Sequence, residues 1–584
     1  MNSFSNNGTS IGPMSPDDFS YGIDVTGLDP ASLNDALRAV IADALADPMR
    51  MTTWMSTFAM AQQNVGLNMM RRLSGQEPLS PLGSSEPDKR FSDPEWSSNP
   101  MLAGIVEDYR IRTQAALQLV DTARLPEATR RKARFAMQLM CDAFAPSNVP
   151  WLNPGVVKEA MDSQGMSLVK GMENFFDDVQ NNGGYPRQVD ASSFELGKNI
   201  GATPGRVVMR NELIELIAYD PQTPEVHEIP LLCSPPWINK YYIMDLAPGR
   251  SFVEWAVKHG HQTFMISYRN PDASMANLKM DDYLRSGVLA ALDAVQEITG
   301  AKKVNLASLC LGGTMAGIAL AYLAKHGQGD RVNSATMTNT LIDFSIPGDL
   351  GVFTDEDTIS RLEKRMREKG YLDSNEMAKT FDWMRSHDLI WSYVVNSWYK
   401  GKQPPAFDIL AWNADSTRMP VEMHSQYLRT CYLHNSIVKP NEFVIDDTPI
   451  DLGLIQTPLY VLGAENDHIA PWRATYLTTQ HAGGDSKYTL TNAGHIAGIV
   501  NPPGGKKTWH YARDHATRGE SADAWLEGAD KHQGSWWEDW ATWIESRAGS
   551  MRAPYTLPQG EAGVGRYVRN ESGPPFGVAS GVTK

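Results

Sequence analysis

Residues Val304 to Gly317 read VNLASLCLGGTMAG. The stretch opens as a β-branched, alternating segment and closes as an Ala-rich helix former. Between the two, Ser308, Leu309, Cys310, Leu311, Gly312 and Gly313 make a turn of mostly small residues. A strand that turns sharply into a helix presents its central side chain at the sheet edge, the layout of a nucleophile elbow. Positions two away from that centre must be small, because strand and helix backbones crowd there. Ser308 and Gly312 meet the requirement. Cysteine stands at the centre, where hydrolytic elbows hold serine, and a helix N-terminus beneath a thiol favours its thiolate. The N–H of Leu311 then points to where an oxyanion would form. Taken alone, these six residues read equally well as a small buried cysteine in an Ala/Gly segment.

The surrounding sequence decides between the two. HEIPLLCSP, HQTFMISY, KVNLAS, VNSATMTNT, TPLYVLGAEND and KYTLTNAGH are strand-like, and helix-like runs separate most of them. Such alternation predicts a parallel sheet with helices on both faces, an α/β fold. From Phe344 to about Asp451 the pattern is mostly helical and too long for a loop, so it reads as an inserted cap over 344–451. Elbow chemistry requires an acid and then a histidine later in the chain. Asp467 follows the apolar run of LYVLGAENDHIAPW, and His495 lies in TNAGHIAGIVNPP after the next strand-like run. Loops at the carboxyl ends of parallel strands open on one side, so Cys310, Asp467 and His495 can meet there. His495 would take the thiol proton, and Asp467 would hold the other ring nitrogen. His468 is a rival beside Asp467, while His481 and His510 are misplaced in the strand order. SPPWIN, Ser234 to Asn239, follows the strand whose loop supplies a second oxyanion donor, which makes the N–H of Trp237 or Ile238 the candidate. Asp272 in YRNPDAS reads as a loop former. Trp536, Trp540 and Trp543 recur at helical spacing and read as a packing face.

Composition limits the partners. The 584 residues carry 53 Lys plus Arg against 68 Asp plus Glu, a net charge of −15, which argues against nucleic-acid binding. Four widely spaced cysteines with no C-x-x-C pair give no metal-site pattern and suit a reducing compartment. The polar start MNSFSNNGTSIGPMSPDD is no signal peptide, and no uncharged apolar run would span a bilayer, so the expected location is cytoplasmic. The first part is helical, including a Met-rich amphipathic run, WMSTFAMAQQNVGLNMMRRL. That run reads as core, although Met-rich faces also serve adaptable binding. Asn181 to Val208 is rich in Gly and Pro and reads as a linker. The expected organisation is a helical domain over 1–190 and an α/β domain over 191–584. The Gly- and Pro-rich tail after about Ala548 is expected to run extended over the surface.

Several segments together resemble one family. They are PPWINKYYIMDLAPGRSFVEWAVKHGHQTFMISYRNPDASM, DLIWSYVVNSWYKGKQPPAFDILAWNADSTRMP, DHIAPW, GHIAGIVNPP and GSWWEDWATW. From about Pro100 to Gly565 the chain is similar to the class I polyhydroxyalkanoate synthases, on the α/β-hydrolase fold. One departure is visible: the family box is G-x-C-x-G-G, and here Ser308 replaces the first glycine. The resemblance implies an acyltransferase that polymerises (R)-3-hydroxyacyl-CoA, most simply short-chain 3-hydroxybutyryl-CoA, and releases CoA. It implies Cys310 as the acylated nucleophile, His495 as base, and Asp467 as its partner or the activator of the incoming hydroxyl. No separate cofactor is implied, since the CoA thioester is itself the substrate. The implied partners are the growing polyester chain, the surface of a cytoplasmic storage granule and a second copy in a homodimer.

A thiol suits this chemistry. Passing an acyl group from the CoA sulfur to Cys310 exchanges one thioester for another, and the acyl group stays activated for attack by a hydroxyl. A serine ester would lose that activation in the first step. Two alternatives remain at this stage: a thioesterase or intracellular polyester depolymerase on the same fold, and a granule-coat protein without activity.

Overall fold

The computed structural model describes residues 30–79 and 88–578. The polar N-terminal stretch and part of the Ser- and Pro-rich loop, 80–87, lie outside the described residues. The chain forms two compact units, Met1–Pro154 and Gly155–Lys584.

In the first unit the described residues form helices α1 (Pro30–Ala46), α2 (Pro48–Leu73), α3 (Pro100–Asp121) and α4 (Glu127–Ala143). Asp47 caps α2 by accepting the Arg50 N–H, and Asn99 caps α3 by accepting those of Met101 and Leu102. Proline follows each cap, at the position where its missing N–H costs nothing. Ala36, Val40, Val120, Ala123 and Ala133 form a small core. The Met-rich run lies on α2, where Val65 and Asn68 are buried but Met55, Met60 and Met70 are exposed. Burial therefore takes in only part of this helix, and the core reading holds for that part alone.

The units divide at Pro154, whereas the sequence placed the boundary near 190. The reason is helix α5 (Met166–Asn181), which belongs to the second unit. Its Phe175 meets the Trp398 ring edge-on at 5.0 Å, and the Trp398 indole donates to Asp178 at 2.8 Å. Helical periodicity shows that a helix forms but not which core it joins.

The second unit is built on a sheet of eleven strands. In chain order these are β1 (Gly205–Arg210), β2 (Ile214–Tyr219), β3 (Leu231–Ser234), β4 (Thr263–Tyr268), β5 (Val304–Leu309), β6 (Val332–Thr338), β7 (Leu459–Ala464), β8 (Ser486–Thr491), β9 (Trp509–Arg513), β10 (Asp530–Gln533) and β11 (Glu561–Ala562). Their spatial order is β10-β9-β8-β7-β6-β5-β3-β4-β2-β1-β11. The strands from β8 through β4 are mutually parallel, and they are the ones expected from the sequence. Each is buried along its whole length apart from one half-buried residue in β6, Asn333; the burial matches the mostly apolar pattern of β3, β4, β5 and β7, while β6 and β8 bury several polar side chains as well. Antiparallel strands extend the sheet at both sides. β1 begins at Gly205, inside the stretch read as linker. The tail also departs from expectation, because β11 pairs with β1, and Tyr567 and Val568 are buried.

Between β6 and β7 the chain forms the cap, mostly helical with a short antiparallel strand pair, Tyr371–Leu372 with Met419–Pro420, and a short hairpin, Val444–Ile445 with Thr448–Pro449. Helix α6 (Leu311–Lys325) follows β5 directly and is buried on almost every side, which its Ala- and Gly-rich sequence permits.

Candidate active site

Cys310 links β5 to α6 with φ +50° and ψ −122°, a conformation that costs energy for a residue with a side chain. The surrounding bonds hold it there. Its N–H donates to the Thr338 carbonyl at 2.9 Å, and the Thr340 hydroxyl donates to the Cys310 carbonyl at 3.2 Å. A Cβ at Gly312 would lie 2.1 Å from the Ser234 carbonyl oxygen, and one at Gly313 would lie 2.0 Å from the Thr340 hydroxyl. Both glycines are therefore dictated by close packing at the turn. Ser308 is fully buried, opposite Ser234 of β3 and Met337 of β6. Its hydroxyl donates to the Thr336 carbonyl at 2.7 Å. The serine that replaces glycine in the family box thus fits the crowded elbow and satisfies its own polar group.

Asp467 lies just past the end of β7, and His495 opens a short helix, α7 (His495–Ile499), after β8. Asp467 is 6 % exposed and His495 7 %. The Asp467 carboxylate receives His495 Nδ1 at 2.6 Å through one oxygen. Its other oxygen accepts the N–H groups of Ile469 and Ala470 at 2.9 and 2.8 Å, which fixes its plane. Burial alone would lower the basicity of His495, but the Asp467 and Cys310 groups beside it outweigh burial and raise its pKa well above the ordinary value. Asp467 and His495 are therefore hydrogen-bonded as expected, and the Cys310 thiol lies near enough to the ring to influence its charge.

The rival histidines are engaged or inert. Burial, with a smaller contribution from Arg385, pushes His468 down to about 4, so it is neutral at ordinary pH. His481 binds Asp343 at 2.8 Å, and His510 Nδ1 meets the Gly534 carbonyl at 3.1 Å. Asp272 caps a turn by accepting the Ser274 N–H and pairs with Arg269, the loop role expected of it.

The Leu311 N–H begins α6 beside the thiol. Trp237 and Ile238 lie in the loop after β3, the strand adjacent to β5. That loop is held from the cap: Thr417 donates to the Trp237 carbonyl at 3.3 Å and Trp412 to that of Lys240 at 2.8 Å. Lys240, itself buried, donates to the Val568 carbonyl of the tail at 2.8 Å. Cys310 packs against an apolar cluster that includes Trp237 and the cap residues Phe344, Tyr427 and Tyr432.

Sequence reasoning missed several residues of this arrangement. Thr338, Asn339 and Thr340 bond to all three site segments. Their signal was a polar Thr-Asn-Thr run where the strand-like segment VNSATMTNT ends. Tyr427 and Tyr432 carried no signal beyond lying in the cap. Trp536, Trp540 and Trp543, read as a packing face, are buried, and two of them also donate hydrogen bonds, Trp536 to Gly498 O at 2.8 Å and Trp540 to the Thr336 hydroxyl at 2.9 Å; the neighbouring Trp537 donates to Ile499 O at 2.9 Å. Among the described residues no group of three or more His, Cys, Asp or Glu side chains could hold a metal ion, and no helix is long and apolar enough to cross a membrane.

Comparison with known proteins identifies the family. Residues 87–256 match the family described as the N-terminus of poly-beta-hydroxybutyrate polymerase (PhaC), and residues 245–502 match the alpha/beta hydrolase fold. A poly(3-hydroxyalkanoate) polymerase of Methylorubrum extorquens is 41% identical over 490 residues, covering 82% of this chain and 80% of the relative. The chain belongs to the poly(3-hydroxyalkanoate) polymerases. Polymerase 2 of Ectopseudomonas oleovorans is 40% identical over 558 residues and covers 95% of both chains. The polymerase subunit PhaC of Cupriavidus necator is 39% identical over 471 residues, covering 80% of this chain and 79% of its own. As a poly(3-hydroxyalkanoate) polymerase, the protein is an enzyme of polyester synthesis on an α/β-hydrolase fold, with a helical N-terminal region.

Proposed function

We propose that this polymerase grows its polyester on Cys310, taking acyl groups from (R)-3-hydroxyacyl-CoA. The observation that carries the reading is the line from the Asp467 carboxylate through His495 to a thiol held at positive φ at the start of α6. In the first half-reaction the Cys310 thiol passes its proton to His495 and attacks the thioester carbonyl. The oxyanion lies against the Leu311 N–H and an N–H from Trp237 or Ile238. Collapse expels the CoA thiolate, which takes the proton from His495 and leaves as CoA. In the second half-reaction the hydroxyl of another 3-hydroxyacyl group attacks the Cys310 thioester while His495 accepts its proton. An ester bond forms, and the Cys310 thiolate is released. Asp467 keeps His495 in the tautomer that faces the thiol.

One feature supports polymerisation over hydrolysis. Cys310 is only partly exposed and packs against an apolar cluster that includes the cap aromatics, surroundings that would limit the access of water to the thioester. The preference for short-chain substrates such as 3-hydroxybutyryl-CoA rests on family resemblance. For the granule surface, the support is the apolar face of α5, where Leu168, Val169, Met172 and Phe176 are exposed. A homodimer remains part of the reading on family resemblance.

The test is incubation with 3-hydroxybutyryl-CoA, following free CoA and the fate of the acyl group together. Synthesis releases CoA and retains the acyl groups as insoluble polyester. Free 3-hydroxybutyrate in equal amount to CoA would identify a thioesterase instead, and no CoA release would leave only a coat protein.

A further inference from the structure

Helix α7 has five residues, too few to hold its own position in water. His495 is its first residue, so the orientation of the imidazole depends on whatever fixes this short helix. Three side-chain donors from distant parts of the chain do so. Asn339 Nδ2 donates to the His495 carbonyl at 2.6 Å. Trp536 and Trp537 donate to the carbonyls of Gly498 and Ile499 at the other end.

Asn339 is built for this contact. It is fully buried and has φ +45°, a left-handed conformation that asparagine tolerates better than most residues. Its backbone N–H donates to the Leu462 carbonyl of β7, the strand leading to Asp467, at 2.8 Å. Its neighbours Thr338 and Thr340 hold Cys310 on the other side. The amide oxygen has no partner among the described residues. A buried acceptor left unpaired is destabilising, so the side chain is not there for stability alone. Its one hydrogen bond goes to His495.

We propose that Asn339 and Trp536 are positioning residues for His495, together setting the alignment of the imidazole with Cys310 and Asp467. This rests on the reading of Cys310 and His495 as a working pair. Neither residue touches the reacting atoms. Asn339 ties α7 to the strands that carry the nucleophile and the acid, and Trp536 stops the far end of the helix from swinging. The groups facing the His495 ring are Asp467, Cys310 and, more remotely, His468.

The experiment measures alkylation of Cys310 by iodoacetamide, using the full chain with Cys141→Ala. Cys141 is the other partly exposed thiol, whereas Cys233 and Cys431 are buried. Rates are taken at about pH 6.5, where a thiolate needs its imidazole partner, and at about pH 9.5, where a thiol ionises unaided. The variants are Asn339→Gly, which keeps the backbone conformation and removes the donor, and Trp536→Phe, which keeps an aromatic ring and removes the N–H. Both should slow alkylation at the lower pH, Asn339→Gly by about tenfold and Trp536→Phe by about threefold, with rates near wild type at the higher pH. Steady-state CoA release should lose kcat by similar factors with KM unchanged.

Wild-type alkylation in both variants would overturn the proposal, and so would equal slowing at both pH values, which marks altered access. Should Asn339→Gly fail to fold, Trp536→Phe decides alone by the same criteria. The underlying reading is checked separately by His495→Gln: if that change leaves low-pH alkylation of the otherwise native site unaltered, the Cys310–His495 pairing itself is wrong.

Discussion

The helices that carry the thiol and the imidazole are held in opposite ways. α6 has fifteen residues, most of them buried, and follows directly from a central strand. Its start is fixed by close packing, Gly312 against the Ser234 backbone and Gly313 against the Thr340 side chain, so Cys310 is placed by the strands packed beside it. α7 has five residues and is held by side chains at 339, 536 and 537, far away in sequence. One site therefore combines a part set by steric packing within the central sheet with a part set by side-chain hydrogen bonds from elsewhere in the fold. Substitutions near Cys310 should damage the elbow itself, whereas those around His495 should leave the fold standing and spoil alignment.

The largest effect expected on the first side is from Gly312→Ala. The added methyl would lie 2.1 Å from a backbone oxygen, where nothing can rotate away. Overpacking costs about 1–3 kcal/mol. Activity should fall further than stability, by about a hundredfold or more, because the thiol shifts with the turn. Thermal unfolding and CoA release on the same preparation check this, and an active Gly312→Ala would break the account of the elbow.

Asp467→Asn probes the second side. The asparagine can still accept the N–H groups of Ile469 and Ala470, so the loop should stay folded. What is lost is the charge beside His495. Turnover should fall by about 10²- to 10⁴-fold, the first acylation less than later cycles. Single-turnover formation of the acyl-enzyme separates the two steps, and equal loss in both would remove the distinction between them.

A smaller effect is expected from Ser308→Ala. It removes one buried hydrogen bond to the Thr336 carbonyl, worth about 1 kcal/mol, and adds no bulk. Stability should drop by that amount with CoA release retained. A dead Ser308→Ala would mean that the hydroxyl enters the chemistry. The smallest effect should come from His468→Gln. Burial holds His468 down to about 4, so no change of charge near neutral pH is lost with the ring. Loss of acylation in His468→Gln but not in His495→Gln would reverse the assignment of the base.

The same contrast explains what the sequence revealed. The six parallel strands were legible because each is a short run rich in β-branched, aromatic or apolar residues set off from helix-like segments, and the elbow because its small residues are contiguous. Asp467 and His495 were legible through strand order. The flanking antiparallel strands were not. β10, read from Asp530 to Gln533, is exposed throughout and carries no apolar signal, and β11 has only two residues. Neither was the division at Pro154, since α5 shows the same periodicity whichever core it joins. The roles of Asn339 and Trp536 depend on contacts across 156 and 38 positions of sequence, which no local pattern encodes.

The central claim is that the polyester grows on Cys310. It is tested most directly by quenching the enzyme with 3-hydroxybutyryl-CoA early in turnover and mapping the adduct by peptide mass spectrometry. The account predicts a 3-hydroxybutyryl group, or a short oligomer of it, on the peptide containing Cys310, absent from Cys310→Ala, which folds normally and releases no CoA. An adduct on another residue, or undiminished CoA release by Cys310→Ala, would contradict it.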